Sequence, residues 1–121
     1  MARLLIIDDD AGVRGVLKAI LERAGHEALT AGGGAEGVTM ARQQIPDLVL
    51  LDIEMPGMNG FDVCSLIKTD TRLSRVPVII MTGRPIVGVP ARVQAVGAVD
   101  LLTKPFEREG LLRKIAAHLP K

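Results

Sequence analysis

Six residues spread along the chain carry groups that could do chemistry together: Asp8, Asp9, Asp52, Glu54, Thr82 and Lys104. Four of them stand at the ends of short apolar runs: Asp8 after Leu4 to Ile7, Asp52 after Leu48 to Leu51, Thr82 after Val76 to Met81, and Lys104 two residues past Leu102. Carboxylates delivered by two separate segments make a hard oxygen site of the kind Mg²⁺ prefers, which binds one or two carboxylates and leaves other positions to water and phosphate. Asp9 and Asp52 are the expected ligands. The backbone carbonyl of Glu54 would complete the protein's share, and Asp8 would hold coordinated water. A carboxylate is also a nucleophile toward phosphorus and gives an aspartyl phosphate where cations screen the incoming oxygens. Asp52 is the expected acceptor, Lys104 the second cation, and Thr82 a hydroxyl donor to a phosphoryl oxygen, a contact that would draw its loop inward.

The elements that must position these groups follow from the hydrophobic pattern. Leu48 to Leu51 is a continuous apolar run without polar alternation, the mark of a parallel strand covered on both faces, and Pro56, Gly57, Asn59 and Gly60 then force a loop beyond Asp52. Leu4 to Ile7 reads the same way. Asp8, Asp9 and Asp10 crowd its end, a costly arrangement unless a cation lies among them, and Asp10 is placed to cap a helix patterned on Val13, Val16, Leu17, Ile20, Leu21 and Ala24. Gly25 closes that helix. His26 to Ala31 is expected as an edge strand, Gly32 to Gly34 as a flexible turn, and Ala35 to Gln44 as a helix. Further helices are expected from Phe61 to Thr69, from Pro90 to Gly97, and through Leu111, Leu112, Ile115, Ala116 and Leu119, with strands over Val76 to Met81 and through Val99, Leu101 and Leu102. Strand and helix thus alternate throughout. That predicts a doubly wound α/β fold, a five-stranded parallel sheet with helices on both faces, whose ligands bind beyond the carboxyl ends of the strands.

Composition narrows the function. At 121 residues and 48% hydrophobic content the chain suits one domain with one core. Fifteen basic and fourteen acidic residues, a formal net charge of +1, lack the basic excess that direct nucleic-acid binding needs, and 2% aromatics leave no platform for base stacking. No apolar run is long enough to span a membrane, and the lone Cys64 permits no internal disulfide, so a cytoplasmic setting is expected. Cys64 and Met40, Met55, Met58 and Met81 are expected as packing residues, and His26 and His118 as surface residues without companion ligands.

Taken together, Leu-Leu-Ile-Ile-Asp-Asp-Asp, Leu-Leu-Asp-Ile-Glu-Met-Pro-Gly-Met-Asn-Gly, Met-Thr-Gly and Thr-Lys-Pro-Phe resemble the segments of bacterial two-component response regulator receiver domains, over essentially the whole chain. The resemblance implies a sheet order of 2-1-3-4-5, for which receiver proteins are a standard example. It also implies that Asp52 is the phosphoacceptor, Asp8 and Asp9 the acid pair, Thr82 the switch hydroxyl and Lys104 the phosphoryl partner. The phosphodonor would be a phosphohistidine on a sensor histidine kinase or a histidine phosphotransfer protein, and the signal would pass to an output protein or domain. The chain departs from the family pattern at Leu101, where an aromatic or histidine is usual, at Gly83, where alanine is usual, and in the Pro- and Gly-rich stretch that follows. Glu54 and Arg84, of opposite charge, are expected to face each other across the pocket mouth.

Three other functions compete. A metal-dependent aspartyl phosphatase would need a second aspartate two residues beyond the nucleophile, where this chain has Glu54. A phosphorylation-independent interaction module would keep the fold alone. A flavin phosphate would meet aspartates where donors are needed. The glycine triplet lacks the lysine and hydroxyl residue of a nucleotide loop.

Overall fold

The computed structural model describes residues 2–83 and 89–119. Among them the chain alternates strand and helix throughout: β1 (Arg3–Ile7), α1 (Ala11–Arg23), β2 (Glu27–Ala31), α2 (Gly34–Gln44), β3 (Leu48–Asp52), α3 (Gly60–Thr69), β4 (Val78–Thr82), α4 (Val89–Ala95), β5 (Asp100–Thr103) and α5 (Arg108–His118). The strands form one parallel sheet in the order β2-β1-β3-β4-β5, as the resemblance implies. Alternate side chains enter two separate cores. Leu4, Ile6, Leu48, Leu50, Ile79, Met81 and Leu102 pack with Leu17 and Leu21 of α1 and Leu111 and Ile115 of α5. Leu5, Ile7, Val49, Leu51, Val78 and Ile80 pack with α2, α3 and α4 through Val38, Ala41, Val63, Cys64, Ile67 and Val93. Burial on both faces is why these strands are apolar without interruption.

Register carries the reactive residues to one edge. Ile7 pairs with Leu51, Asp52 with Met81, and Thr82 with Thr103, so Asp8, Asp52, Thr82 and Lys104 all arrive at the same ends of the strands. The two-residue period of a strand then sorts them by face. Asp8, Asp52 and Lys104 continue the rows of Ile6, Leu50 and Leu102 on the α1/α5 side, whereas Thr82 continues Val78 and Ile80 on the other.

Local chemistry fixes the helix ends. Asp10 caps α1, its carboxylate accepting from the N–H groups of Gly12 and Val13 at 2.8 and 3.2 Å. Asn59 caps α3 by accepting from Phe61 N–H at 2.7 Å. Gly60 opens α3 directly on the backbone of β3: a Cβ there would run into Ile53 Cα and the Asp52 carbonyl oxygen, so only glycine lets the loop close so tightly. Helix α2 ends with Ile45 in the left-handed region at φ 44° and ψ 71°, ahead of Pro46. A branched residue is strained there by roughly 1–2 kcal/mol, and Ile45 is 45% exposed, so little packing offsets it. Ile45→Asn is expected to raise stability by about 1 kcal/mol, read as a higher urea midpoint at unchanged slope. A lower midpoint would mean that the isoleucine side chain contributes more than its backbone costs.

Several expectations are corrected. Gly34 is no flexible turn; it is the buried first residue of α2, where a side chain would collide with Val63 and Met58. Strand β4 starts at Val78, because Val76 and Pro77 form its lead-in, and α4 starts at Val89 with Pro90 in its first turn. His118 does have companions. Half-buried on α5, its Nε2 lies 2.9 Å from the Asp100 carboxylate, which also accepts from Lys114 Nζ at 3.0 Å. Burial pushes the Asp100 carboxyl up, but hydrogen bonds from Lys114 and His118 outweigh it and hold the group below its ordinary range. His26 is half-buried and accepts from Ala2 N–H through Nδ1 at 3.2 Å. Cys64 is fully buried and burial pushes its thiol up to about 11, as a packing residue should behave.

Candidate functional site

The strand ends converge on a cleft of about 230 Å³ lined by Asp8, Asp9, Asp10, Asp52, Glu54, Gly83 and Lys104. Carboxylate oxygens of Asp8, Asp9 and Asp52 lie within 4.8 Å of one another, with Asp8 and Asp52 buried and Asp9 exposed. Asp52 is held at both oxygens. Oδ1 accepts from Glu54 N–H at 3.0 Å, and Oδ2 lies 3.5 Å from Lys104 Nζ. Burial pushes the Asp52 carboxyl up to about 6; the Glu54 N–H opposes this, the Asp8 charge adds to it, and Lys104 pulls it back.

Lys104, ninety-six residues from Asp8 in sequence, is the cation the acid cluster requires; its Nζ donates to Asp8 Oδ2 at 2.8 Å. Burial alone would push its ammonium down, but the hydrogen bond to Asp8 and the charge of Asp52 prevail and hold it above the ordinary lysine range. The peptide bond between Lys104 and Pro105 is cis. Asp8 is fully buried, yet each of its groups has a partner: Oδ1 accepts from Asp10 N–H at 3.0 Å, and its carbonyl accepts from Arg14 Nη1 at 2.7 Å. Arg14 escaped the sequence reading. Its only signal was its place four residues after Asp10, one turn into α1.

On the opposite wall Thr82, only 2% exposed, donates from Oγ1 to Glu54 Oε1 at 3.0 Å, and Gly83 N–H donates to the same oxygen at 3.0 Å. Glu54 therefore reaches across the mouth to the end of β4. Its expected counterpart Arg84 lies outside the described residues, as do Pro85 and Gly88 of the Pro- and Gly-rich stretch. Leu101, paired with Ile80 on β5, is half-buried against the α2–α4 core. Beside the acid cleft, and sharing Asp10 and Lys104 with it, runs a larger and mainly apolar groove of about 560 Å³ lined by Val13, Val16, Pro105 and Phe106.

The donor set fits a hard divalent cation. Three carboxylates on a water-accessible cleft supply oxygen ligands, and no sulfur or imidazole competes with them among the cleft-lining residues.

Fold and cleft together define a class: doubly wound domains that gather aspartates from two inner strands and a lysine from the last strand at the sheet's carboxyl edge. The chain belongs to the response regulator receiver domain family, which it matches over residues 4–116. It is 44% identical to Protein PilH of Pseudomonas aeruginosa over 119 residues, 98% of each chain. It is 37% identical to the DNA-binding response regulator MtrA of Mycobacterium tuberculosis over 118 residues, spanning 97% of this chain and 50% of that protein. Among solved structures it superposes on the chemotaxis protein CheY4 of Vibrio cholerae with a TM-score of 0.94 at 30% identity, covering 98% of this chain and 99% of that one. The chain is thus a receiver domain of the two-component signalling type. Among the described residues no helix is long and apolar enough to cross a membrane.

Proposed function

We propose that this receiver domain is a phosphoryl-accepting switch in which Asp52 takes a phosphoryl group from a phosphohistidine of a sensor histidine kinase or histidine phosphotransfer protein in the cytoplasm. The observation that carries this reading is the meeting of Asp52 with a lysine 3.5 Å away and a second buried aspartate on the same face of the sheet. An oxygen of Asp52 attacks phosphorus; as that O–P bond forms, the P–N bond to the donor imidazole breaks, and the imidazole nitrogen keeps the electron pair and takes up a proton. Lys104 balances the added charge. Thr82 Oγ1 and Gly83 N–H supply hydrogen bonds to the new phosphoryl oxygens, and the movement this requires reaches an output partner over the Thr82 and Leu101 face. Asp9, Asp52 and the Glu54 carbonyl would hold Mg²⁺, with Asp8 acting through water. When bound, the ion supplies positive charge that offsets both the acid cluster and the incoming oxygens. The neighbouring apolar groove favours a protein donor, since a helix seated there would bring its imidazole to the cleft that the groove adjoins.

The test is intact mass after incubation with acetyl phosphate and Mg²⁺. One phosphoryl group per chain is expected, absent after chelation and absent in Asp52→Asn. Failure to label the wild type, or equal labelling of Asp52→Asn, would remove Asp52 from this role.

A further inference from the structure

The phosphoryl chemistry gives the Glu54 side chain no task, and unlike Asp10 at the same cleft it caps no helix. Its carboxylate is nonetheless specifically engaged. Oε1 takes both the Thr82 hydroxyl and the Gly83 amide at 3.0 Å, two donors from consecutive residues converging on one anionic oxygen. A phosphoryl oxygen on Asp52 would call on the same pair. We propose that Glu54 is a positioning residue that stands in for the phosphoryl oxygen: before modification it holds the end of β4 by these two bonds, and phosphorylation proceeds only as it gives them up. This rests on the reading of Asp52 as acceptor.

The physical case has three parts. Hydrogen bonds to an ionised oxygen are about twice as strong as neutral ones, so the tie is more than incidental. The amide has a single hydrogen and the hydroxyl one, so neither fully serves Glu54 and a phosphoryl oxygen at once. A phosphoryl group also brings like charge beside Glu54, on the strand end whose backbone N–H at Glu54 already binds Asp52 Oδ1 at 3.0 Å. Glu54 therefore opposes modification, and modification expels Glu54. By linkage, removing the tie must favour the phosphoryl state by the free energy that the tie contributes to the unmodified one.

Two measurements test this on the full chain. The first does not involve phosphate: amide hydrogen exchange at Gly83 is expected to be slow in wild type, faster in Glu54→Ala, and intermediate in Glu54→Gln, which keeps an acceptor but not the charge. The second uses beryllium fluoride with Mg²⁺ as a tetrahedral phosphoryl mimic. Its half-saturating concentration is expected to fall roughly fivefold or more in Glu54→Ala, less in Glu54→Gln, and by a smaller factor when Glu54→Ala is added to Thr82→Ala, where only the Gly83 amide is left to compete for. Unchanged Gly83 exchange in Glu54→Ala would overturn the tie. Equal effects of the Ala and Gln variants, additive with Thr82→Ala, would overturn the competition and reduce Glu54 to a charge acting through space. If no variant bound the mimic while Gly83 behaved as described, the acceptor reading and the competition would fall and the tie alone would remain.

Discussion

In metal-free buffer at pH 8, Asp52→Asn is expected to melt above the wild type although it lacks the proposed phosphoryl acceptor. The Asp52 carboxyl is raised from 3.8 to about 6 in the folded chain, chiefly by burial, so the fold prefers it neutral. The sign follows from proton binding. Between about pH 4 and 6 the folded state holds a proton that the unfolded state has released, so this group's contribution to stability is present at low pH and is lost as pH rises through the folded value. Above pH 7 the loss is on the order of 2–3 kcal/mol. Asparagine removes that loss but also weakens the 3.5 Å contact with Lys104, leaving a gain of about 1–2 kcal/mol and a rise of roughly 5 °C. At pH 4 the two proteins should converge. At pH 8 added Mg²⁺ should close the gap by stabilising the wild type, and should do so less in Asp9→Ala. Differential scanning calorimetry across this grid checks all three statements; equal melting at pH 8 without metal would show that the acid cluster does not strain the fold.

Lys104→Met is expected to be the most damaging single change in the cleft. Asp8 is fully buried and Lys104 Nζ lies 2.8 Å from it, so methionine keeps much of the volume and leaves two buried carboxylates facing each other without the lysine. Breaking a buried pair in this way costs about 3–5 kcal/mol. Adding Asp8→Asn to Lys104→Met should recover a large part of the loss, because the stranded charge is then gone. Urea unfolding in chelator measures both. A loss below about 1 kcal/mol, typical of a surface pair, or no recovery in the double variant, would show that the buried Asp8 charge is satisfied by other means.

What the sequence disclosed and what it withheld divide along physical lines. Strands β1, β3 and β4 were legible because both faces are buried and the apolar runs are unbroken. The aspartates and Lys104 were legible because each follows such a run, and parallel register then leaves their arrival at one edge little freedom. Asp10 was legible as a cap because capping is local chemistry. Contacts made by flexible side chains were not. Nothing in the order Asp-Ile-Glu reveals that Glu54 bends across to Thr82. Nor does spacing show that Gly34 and Gly60 are places of close approach rather than mere turns, since a glycine between elements reads the same either way. His118 looked solitary because its partner Asp100 lies eighteen residues away on another element.

Asp52 stands on β3, the middle strand of five, hydrogen-bonded along its length to β1 and β4 and capped tightly by the glycine that opens α3. Backbone so held on both sides is expected to exchange its amides only through opening of the whole domain; the end of β4 has a ladder of its own, Met81 carbonyl accepting from Ile53 N–H and Thr82 carbonyl from Lys104 N–H, to which the two bonds to Glu54 are added. Asp52 is thus a fixed anvil, and the bonds from Thr82 Oγ1 and Gly83 N–H to Glu54 lie outside the ladder that fixes it. A phosphoryl group carried by that anvil, as proposed above, would leave the fold's reference frame undisturbed, so the domain could be marked and cleared many times while its centre keeps one shape.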